Sequence, residues 1–238
     1  MLLRNIKILT TRVVSNLWRK ENLNFSKSLL IIAPHPDDEI LGCGGLIQRA
    51  LAHGCRVDVV FLTNGEASHS GCCNQEDISL NRARLTYQAA RTIGLQKKNI
   101  HKLDFKDGGV SLDDKDNVEK LYKLLDEIKP SQIYIPHHNE GWSDHIVVKS
   151  LIDPFTKQNP KIELYEYLVW SWFYVKGWYN WKQCEVLKMT NNEVKIKNRA
   201  IDEYIIDAAP CGKPWSGTLP SVLIKACSWN RELYFKIR

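Results

Sequence analysis

The run His35-Pro36-Asp37-Asp38-Glu39 follows the apolar stretch Ser28-Leu29-Leu30-Ile31-Ile32-Ala33, with only Pro34 between them. The stretch reads as a buried strand, and the run falls where that strand ends and a helix is about to begin. Three carboxylates and an imidazole are costly for a fold at that point unless a cation or substrate uses them. A surface loop solvating the same residues is the bland alternative. In open α/β sheets, however, ligands bind outside the carboxyl ends of the strands. Position and composition therefore agree on a metal or catalytic site.

Spacing sharpens the expectation. In a turn of helical geometry, residues three apart share a face while adjacent ones diverge. His35 and Asp38 can then grip one ion, leaving Asp37 beside it to handle protons. An imidazole with a carboxylate suits zinc, which needs at least one more ligand. The donor is expected in Pro136-His137-His138-Asn139-Glu140-Gly141-Trp142-Ser143-Asp144-His145, which follows the strand-like Gln132-Ile133-Tyr134-Ile135. His145 opens an apolar-periodic, helical stretch. Asp144 before it is read either as the helix N-cap or as a residue supporting the metal ligands.

Strand-like and helix-like segments alternate along the chain. Strands are expected at Leu29–Ala33, Cys55–Leu62, Ile100–Leu103 and Gln132–Ile135, and helices at Leu46–Ala52, Leu80–Ile93 and Asn117–Ile128. The glycines Gly42, Gly44 and Gly45 read as a turn, Gly94 as a residue just past a helix end, and Asp107-Gly108-Gly109 as a turn. This order predicts a Rossmann-like α/β fold, mostly parallel, with helices on both faces. From Leu164 to Trp170 another strand is expected, continued by an aromatic cluster of Trp172, Phe173, Tyr174, Trp178, Tyr179 and Trp181. That cluster reads as the core of a β excursion, as a surface that stacks sugar or lines a substrate channel, or as an insertion at a membrane interface.

A length of 238 residues suits one α/β domain over 25–238, preceded by a basic amphipathic extension over 1–24. The extension either lies on a membrane surface or packs on its own domain. The formal net charge of +6 favours anionic partners. No nucleic-acid module is visible, and none is expected as a partner. No apolar run is long enough to span a membrane, and the first twenty residues lack the pattern of a signal peptide. Seven cysteines without a C-x-x-C spacing read as free thiols in a reducing compartment, hence a cytoplasmic protein. Cys72-Cys73 reads as an exposed loop pair without histidine partners. His53, His69 and His101 read as structural or surface residues.

The chain resembles the PIG-L/LmbE family of zinc-dependent N-deacetylases, which remove acetyl groups from N-acetylglucosamine-type sugars. The resemblance runs from about Leu29 to Phe235. Pro34-His35-Pro36-Asp37-Asp38-Glu39 is similar to the family's A-H-P-D-D-E, and Gly42-x-Gly44-Gly45, Thr63-Asn64-Gly65-Glu66, Asp107-Gly108, Tyr165-Glu166-Tyr167 and Lys197-x-x-Ala200-x-x-x-Tyr204 follow in order. The resemblance implies Zn2+ held by His35, Asp38 and His145, with Asp37 as general base. It implies substrate binding by Arg82, and Asp107 and Trp142 are expected beside the substrate. Zinc lowers the pKa of a bound water from about 15.7 toward about 7, which makes the amide's hydrolysis feasible at neutral pH.

Two departures stand out. Where the family commonly reads H-P-D-H, this chain reads Trp142-Ser143-Asp144-His145. An indole donates a hydrogen bond but cycles no proton, so His137 or His138, or Asp37 itself, must deliver the proton to the leaving amine. The glutamate often found soon after the arginine is also missing, Arg84 and Leu85 standing there. The expected activity is release of acetate from a conjugated N-acetylated amino sugar, with peripheral membrane contact as an added feature. One rival is a zinc-retaining sugar or glycolipid binder without turnover. The other is a two-His-one-carboxylate iron site using His35 and Asp37.

Overall fold

Burial along β1 (Leu29–Ala33) sets the layering of the molecule. Leu29, Ile31 and Ala33 enter one apolar cluster, while Leu30 and Ile32 enter another. A strand whose successive side chains are all buried must be covered on both faces. On the first face lie α2 (Asp38–Ala52), α3 (Gln75–Thr92), α6 (Asn191–Ile205) and α7 (Ser221–Cys227). On the second lie α4 (Lys115–Ile128) and α5 (Ser143–Gln158), through Leu121, Leu125, Val148, Leu151 and Ile152. The computed structural model describes residues 2–17, 22–69, 71–174 and 179–238. Arg19, Lys20 and Trp178 fall outside the described residues.

The sheet has seven strands in the order β3-β2-β1-β4-β5-β7-β6. β2 spans Val57–Phe61, β3 Ile100–Lys102, β4 Gln132–Pro136, β5 Glu163–Tyr167, β6 Cys184–Lys188 and β7 Arg231–Lys236. The first five in that order are parallel, whereas β7 runs antiparallel to both β5 and β6. Ile31 pairs with Val59 on one side and Tyr134 on the other, so β1 lies between β2 and β4. The chain travels outward from β1 to β3 and returns to β4. That reversal opens a crevice between the carboxyl ends of β1 and β4, where such sheets bind ligands.

The expected α/β architecture is present, with instructive differences at the element ends. α2 begins at Asp38 rather than Leu46, so Gly42, Gly44 and Gly45 lie inside a helix. They are small for packing reasons: a Cβ at Gly42 would overlap the Tyr167 ring, at Gly44 crowd Lys197, and at Gly45 overlap Met189. α3 likewise starts earlier, at Gln75, because the Asn74 side chain accepts from the Asp77 N–H and caps it. The aromatic-rich segment after β5 forms two short 3-10 turns, Trp170–Trp172 and Trp181–Gln183, before the chain enters β6.

α1 (Leu2–Leu17) packs back on this segment. Lys7 Nζ donates to the Ser171 and Tyr174 carbonyls, and Arg12 to the Lys225 carbonyl. Among the described residues no helix is long and apolar enough to cross a membrane. The cysteine reading needs correction: Cys72 and Cys211 form a disulfide, with Cα atoms 5.9 Å apart. A sequence separation of 139 hides that proximity.

Candidate metal centre and active site

The loop leaving β1 and the first turn of α2 place His35, Asp37, Asp38 and Glu39 within one bend of chain. The His35 N–H donates to Asp38 Oδ2 at 3.0 Å, which fixes the carboxylate against the imidazole. His35 Nδ1 lies 3.3 Å from that same oxygen. From the loop after β4 and the start of α5 comes His145, with Nε2 3.2 Å from Asp38 Oδ2. The donor atoms of His35, Asp38 and His145 all lie within 4.8 Å of one another.

These groups fit a metal ion on their own chemistry. Asp38 and His145 are fully buried, yet Asp38 Oδ1 and both ring nitrogens of His145 have no hydrogen bond of acceptable geometry. Orphaned buried donors and acceptors are rare and costly in a fold. A His2Asp set that leaves a fourth position open matches catalytic zinc. Electrostatics agree. Burial alone would depress the His35 pKa, but Asp107, Asp144 and Asp38 outweigh it and raise it well above the usual histidine range. His145 is lifted to about 9, where Asp38 and Glu140 overcome burial. The carboxylates around both rings demand positive charge.

Each ring is steered from behind. His35 Nε2 lies 3.1 Å from Asp144 Oδ2 and 3.2 Å from Asp107 Oδ1. Asp144 also accepts the N–H groups of Gly108 at 2.7 Å and Val110 at 3.2 Å, tying the β3–α4 loop to the centre. Asp144 is therefore not the N-cap of α5: the helix starts at Ser143 and Trp142 occupies the cap position without a side-chain bond. Glu140 stands 3.4 Å from His145 Nδ1 and is held by the N–H groups of Val169, Trp170 and Ser171. A carboxylate behind a ligating histidine fixes its tautomer and orientation.

Asp37 is the unusual member. Its φ of 121° lies in a region that only glycine adopts without strain, at a cost of about 1–3 kcal/mol. Two contacts hold it there. Glu39 Oε2 accepts the Asp37 N–H at 2.9 Å, while the Tyr204 hydroxyl donates to Glu39 Oε1 at 2.6 Å. The Arg82 guanidinium lies 3.3 Å from Asp37 Oδ2 and also binds the carbonyls of Pro36, Gly65 and Ser216. Gly65, at φ 71°, has no room for a Cβ because Arg82 lies against it. Burial pushes the Asp37 carboxyl up to about 7, against the opposing pull of Arg82. A base poised near neutrality suits proton transfer.

A profile described as GlcNAc-PI de-N-acetylase, PIG-L, matches residues 30–155. The chain belongs to the PIG-L family. Within that family it is similar to the diacetylchitobiose deacetylase of Thermococcus kodakarensis, 35% identical over 130 residues, which are 52% of this chain and 47% of that protein. The match thus spans about half the length of that relative. Among solved structures, the A40926 pseudoaglycone deacetylase Dbv21 superposes with a TM-score of 0.67 at 16% identity, over 88% of this chain and 96% of that one. The 4-carboxy-2-hydroxymuconate hydratase GalB of Pseudomonas putida gives 0.65 at 15% identity, over 89% and 96% respectively. Such identities show a shared fold. That a deacetylase and a hydratase share it means the site, not the fold, must argue the chemistry.

The remaining PIG-L candidates fall in four places. Arg82 is only 3% exposed, its guanidinium on loop carbonyls and Asp37. Asp107 accepts the Ala67 N–H with the oxygen turned away from His35. Trp142 is 44% exposed at the start of α5, its ring edge-on to Trp170 at 5.6 Å. His137 and His138 stack at 4.2 Å beside Glu166. His138 lies 2.9 Å from that carboxylate and is half exposed. His137 is buried against Tyr179 and Phe235, and burial lowers its pKa to about 3. Of the carboxylate tripods, Asp38 and not Asp37 converges with the two histidines, unlike the iron-site alternative.

Sequence reading missed Glu140 and Glu39. Both are buried carboxylates whose positions depend on distant partners, Val169 for Glu140 and Tyr204 for Glu39, 29 and 165 residues away. The only local signal was an acidic residue in a segment otherwise rich in chemistry, five positions before His145.

Proposed function

We propose that this PIG-L chain hydrolyses the acetamide of an N-acetylated amino sugar carried on a larger group, releasing acetate. The observation that carries the reading is the convergence of His35, Asp38 and His145, with buried donor atoms left unpartnered and Asp37 alongside. Zinc, when bound there, polarises the acetamide carbonyl and acidifies water. Asp37, seated by Arg82 and Glu39, takes a proton from the attacking water. Its place in the bend after β1, next to the His35, Asp38 and His145 donors, supports that role. Asp144 and Glu140 keep the His35 and His145 rings in the orientation that binding requires.

The departing amine needs a proton. His137 is neutral and buried, so it is a poor source. His138, half exposed and paired with Glu166, is the better candidate of the two, with Asp37 returning its own proton as the alternative route. Trp142 and Trp170 offer an apolar ledge beside the crevice, suited to the face of a sugar ring or to the group that carries it. The relatives named as a diacetylchitobiose deacetylase and an A40926 pseudoaglycone deacetylase support an acetylated substrate. The reading also includes a cytoplasmic location and peripheral membrane contact. In support of the latter, α1 exposes Leu3, Ile6, Leu9, Val13 and Leu17 while its Lys7 and Arg12 bond inward.

The test is acetate release from a panel of N-acetylglucosamine conjugates by metal-stripped protein, with and without zinc, beside Asp37→Asn. Zinc-dependent release that disappears in Asp37→Asn is the expected result. The replacement of the family histidine by Trp142 favours one second reading, a sugar binder that keeps zinc but does not turn over. Tight zinc and ligand binding with no acetate from any conjugate would select it.

A further inference from the structure

A second group of metal-ligating side chains stands apart from the catalytic donors. The loop after β2 carries His69, Cys72 and Cys73, and a hairpin between α6 and α7 carries Cys211. Their ligand atoms, one imidazole nitrogen and three sulfurs, all lie within 4.8 Å of one another. His69 is 93% buried by its 7% exposure, and its Nε2 is a buried polar atom with no hydrogen-bond partner. The other ring nitrogen is engaged by Ser68 Oγ at 3.2 Å, which leaves Nε2 as the free ligand atom. Cys72 and Cys73 sulfurs are 3.6 Å apart.

The scaffold beneath is built to hold the two segments together. Ser68 Oγ donates to the Trp215 carbonyl at 2.9 Å, and the His69 ring packs on Trp215 at 6.1 Å. Ala208 bridges Pro214, and the Ala209 N–H bonds the Lys213 carbonyl at 2.8 Å, so Cys211 sits at the tip of a tight hairpin. Cys72 and Cys73 immediately precede the Asn74 cap of α3, which fixes where the loop enters the helix.

We propose that in the reduced protein His69, Cys72, Cys73 and Cys211 bind a second zinc ion in a closed Cys3His site. Three thiolates and an imidazole are the donor set of structural zinc, with every position filled by protein. The Cys72–Cys211 disulfide is the oxidised alternative of the same atoms. A dithiol reductant supplies two electrons and two protons, becoming a disulfide itself, and breaks the S–S bond to give two thiols. Zinc then binds three thiolates and neutral His69 as the three thiols release their protons. Either cross-link staples the loop after β2 to the hairpin. The loop lies within reach of the catalytic centre, since its Ala67 N–H holds Asp107 at 2.8 Å. The site is therefore a redox-dependent clasp beside the crevice, independent of the deacetylase reading.

The experiment is a cobalt titration of the full chain, metal-stripped and reduced, followed by absorption. The proposal expects two cobalt ions per chain, one showing sulfur-to-cobalt charge-transfer absorption. That absorption falls in Cys211→Ser, forms only at higher cobalt concentration in His69→Ala, persists in Asp38→Asn, and is bleached by zinc. Alkylation of the unmutated chain with mass-spectrometric readout covers the case of a variant that does not fold. Zinc is expected to protect Cys72, Cys73 and Cys211 together. Absence of the charge-transfer band, with equal alkylation of those three cysteines with and without zinc, would overturn the proposal.

Discussion

The parallel half of the sheet and the antiparallel half treat the same helix, α2, in opposite ways. Along the carboxyl edge of β1 and β4, imidazoles and carboxylates surround its first turn with their donor atoms turned toward a shared point. Behind it, the C-terminal half satisfies the buried ion pair Lys197–Glu232 completely. Glu232 accepts the N–H groups of Gly45 and Leu46 at 2.7 and 2.8 Å, the Lys197 ammonium at 2.7 Å and the Tyr234 hydroxyl at 2.6 Å. Lys197 also donates to the Leu41 carbonyl. One region leaves buried polar atoms unpartnered, and the other leaves none on these residues. Incomplete satisfaction marks where a ligand belongs, and complete satisfaction marks what holds the ligands still.

Breaking the C-terminal anchor should have the largest effect. Lys197→Met leaves Glu232 without its buried counter-ion, and about 3–5 kcal/mol of stability should disappear, seen as a lower urea midpoint. If the variant unfolds like the unmutated chain, the anchor role of this pair is wrong. On the catalytic side, Glu140→Gln removes the carboxylate behind His145. Zinc affinity should fall by about 10–100-fold in a competition titration, the usual cost of losing such a partner. Unchanged affinity would mean that Glu140 serves only the backbone of residues 169–171.

The smallest effect belongs to Glu193, where the anchor reaches the surface. Its side chain closes a capping box with Thr190 and pairs with Arg49 at 2.6 Å. Arg49 first, then the Thr190 bonds, lower its pKa from 4.5 to about 2. A depressed carboxylate contributes stability above its unfolded pKa and loses it as the pH falls through the folded one. Glu193→Gln should therefore be less stable than the unmutated chain above pH 4.5, with the difference closing toward pH 2. A difference that grows on acidification would contradict the pairing.

Sequence and structure meet most closely where the signal is local. β1 and the residues after it were legible because a buried strand, a bend and helical spacing occur within a dozen positions. The sheet's alternation was legible for the same reason. The start of α2 was not, because three glycines in four positions imitate a turn unless Tyr167, Lys197 and Met189 are known to press on them. Asp144 stayed open between helix cap and support for the ligands because its partners Gly108 and Val110 arrive from another loop. The cysteine cluster carried a local hint in His69 and Cys72, three residues apart. Its fourth member, Cys211, comes from another part of the chain, and that long closure cannot be read from spacing.

Zinc content of Asp38→Asn compared with Asp37→Asn tests the central claim most directly, because the two carboxylates are adjacent in sequence and assigned opposite work. After oxidation to the Cys72–Cys211 disulfide, which leaves that cluster only Cys73 and His69 as ligands, Asp38→Asn is expected to lose zinc. Asp37→Asn is expected to retain it while releasing no acetate. Full zinc in Asp38→Asn with loss in Asp37→Asn would contradict the assignment of ligand and base.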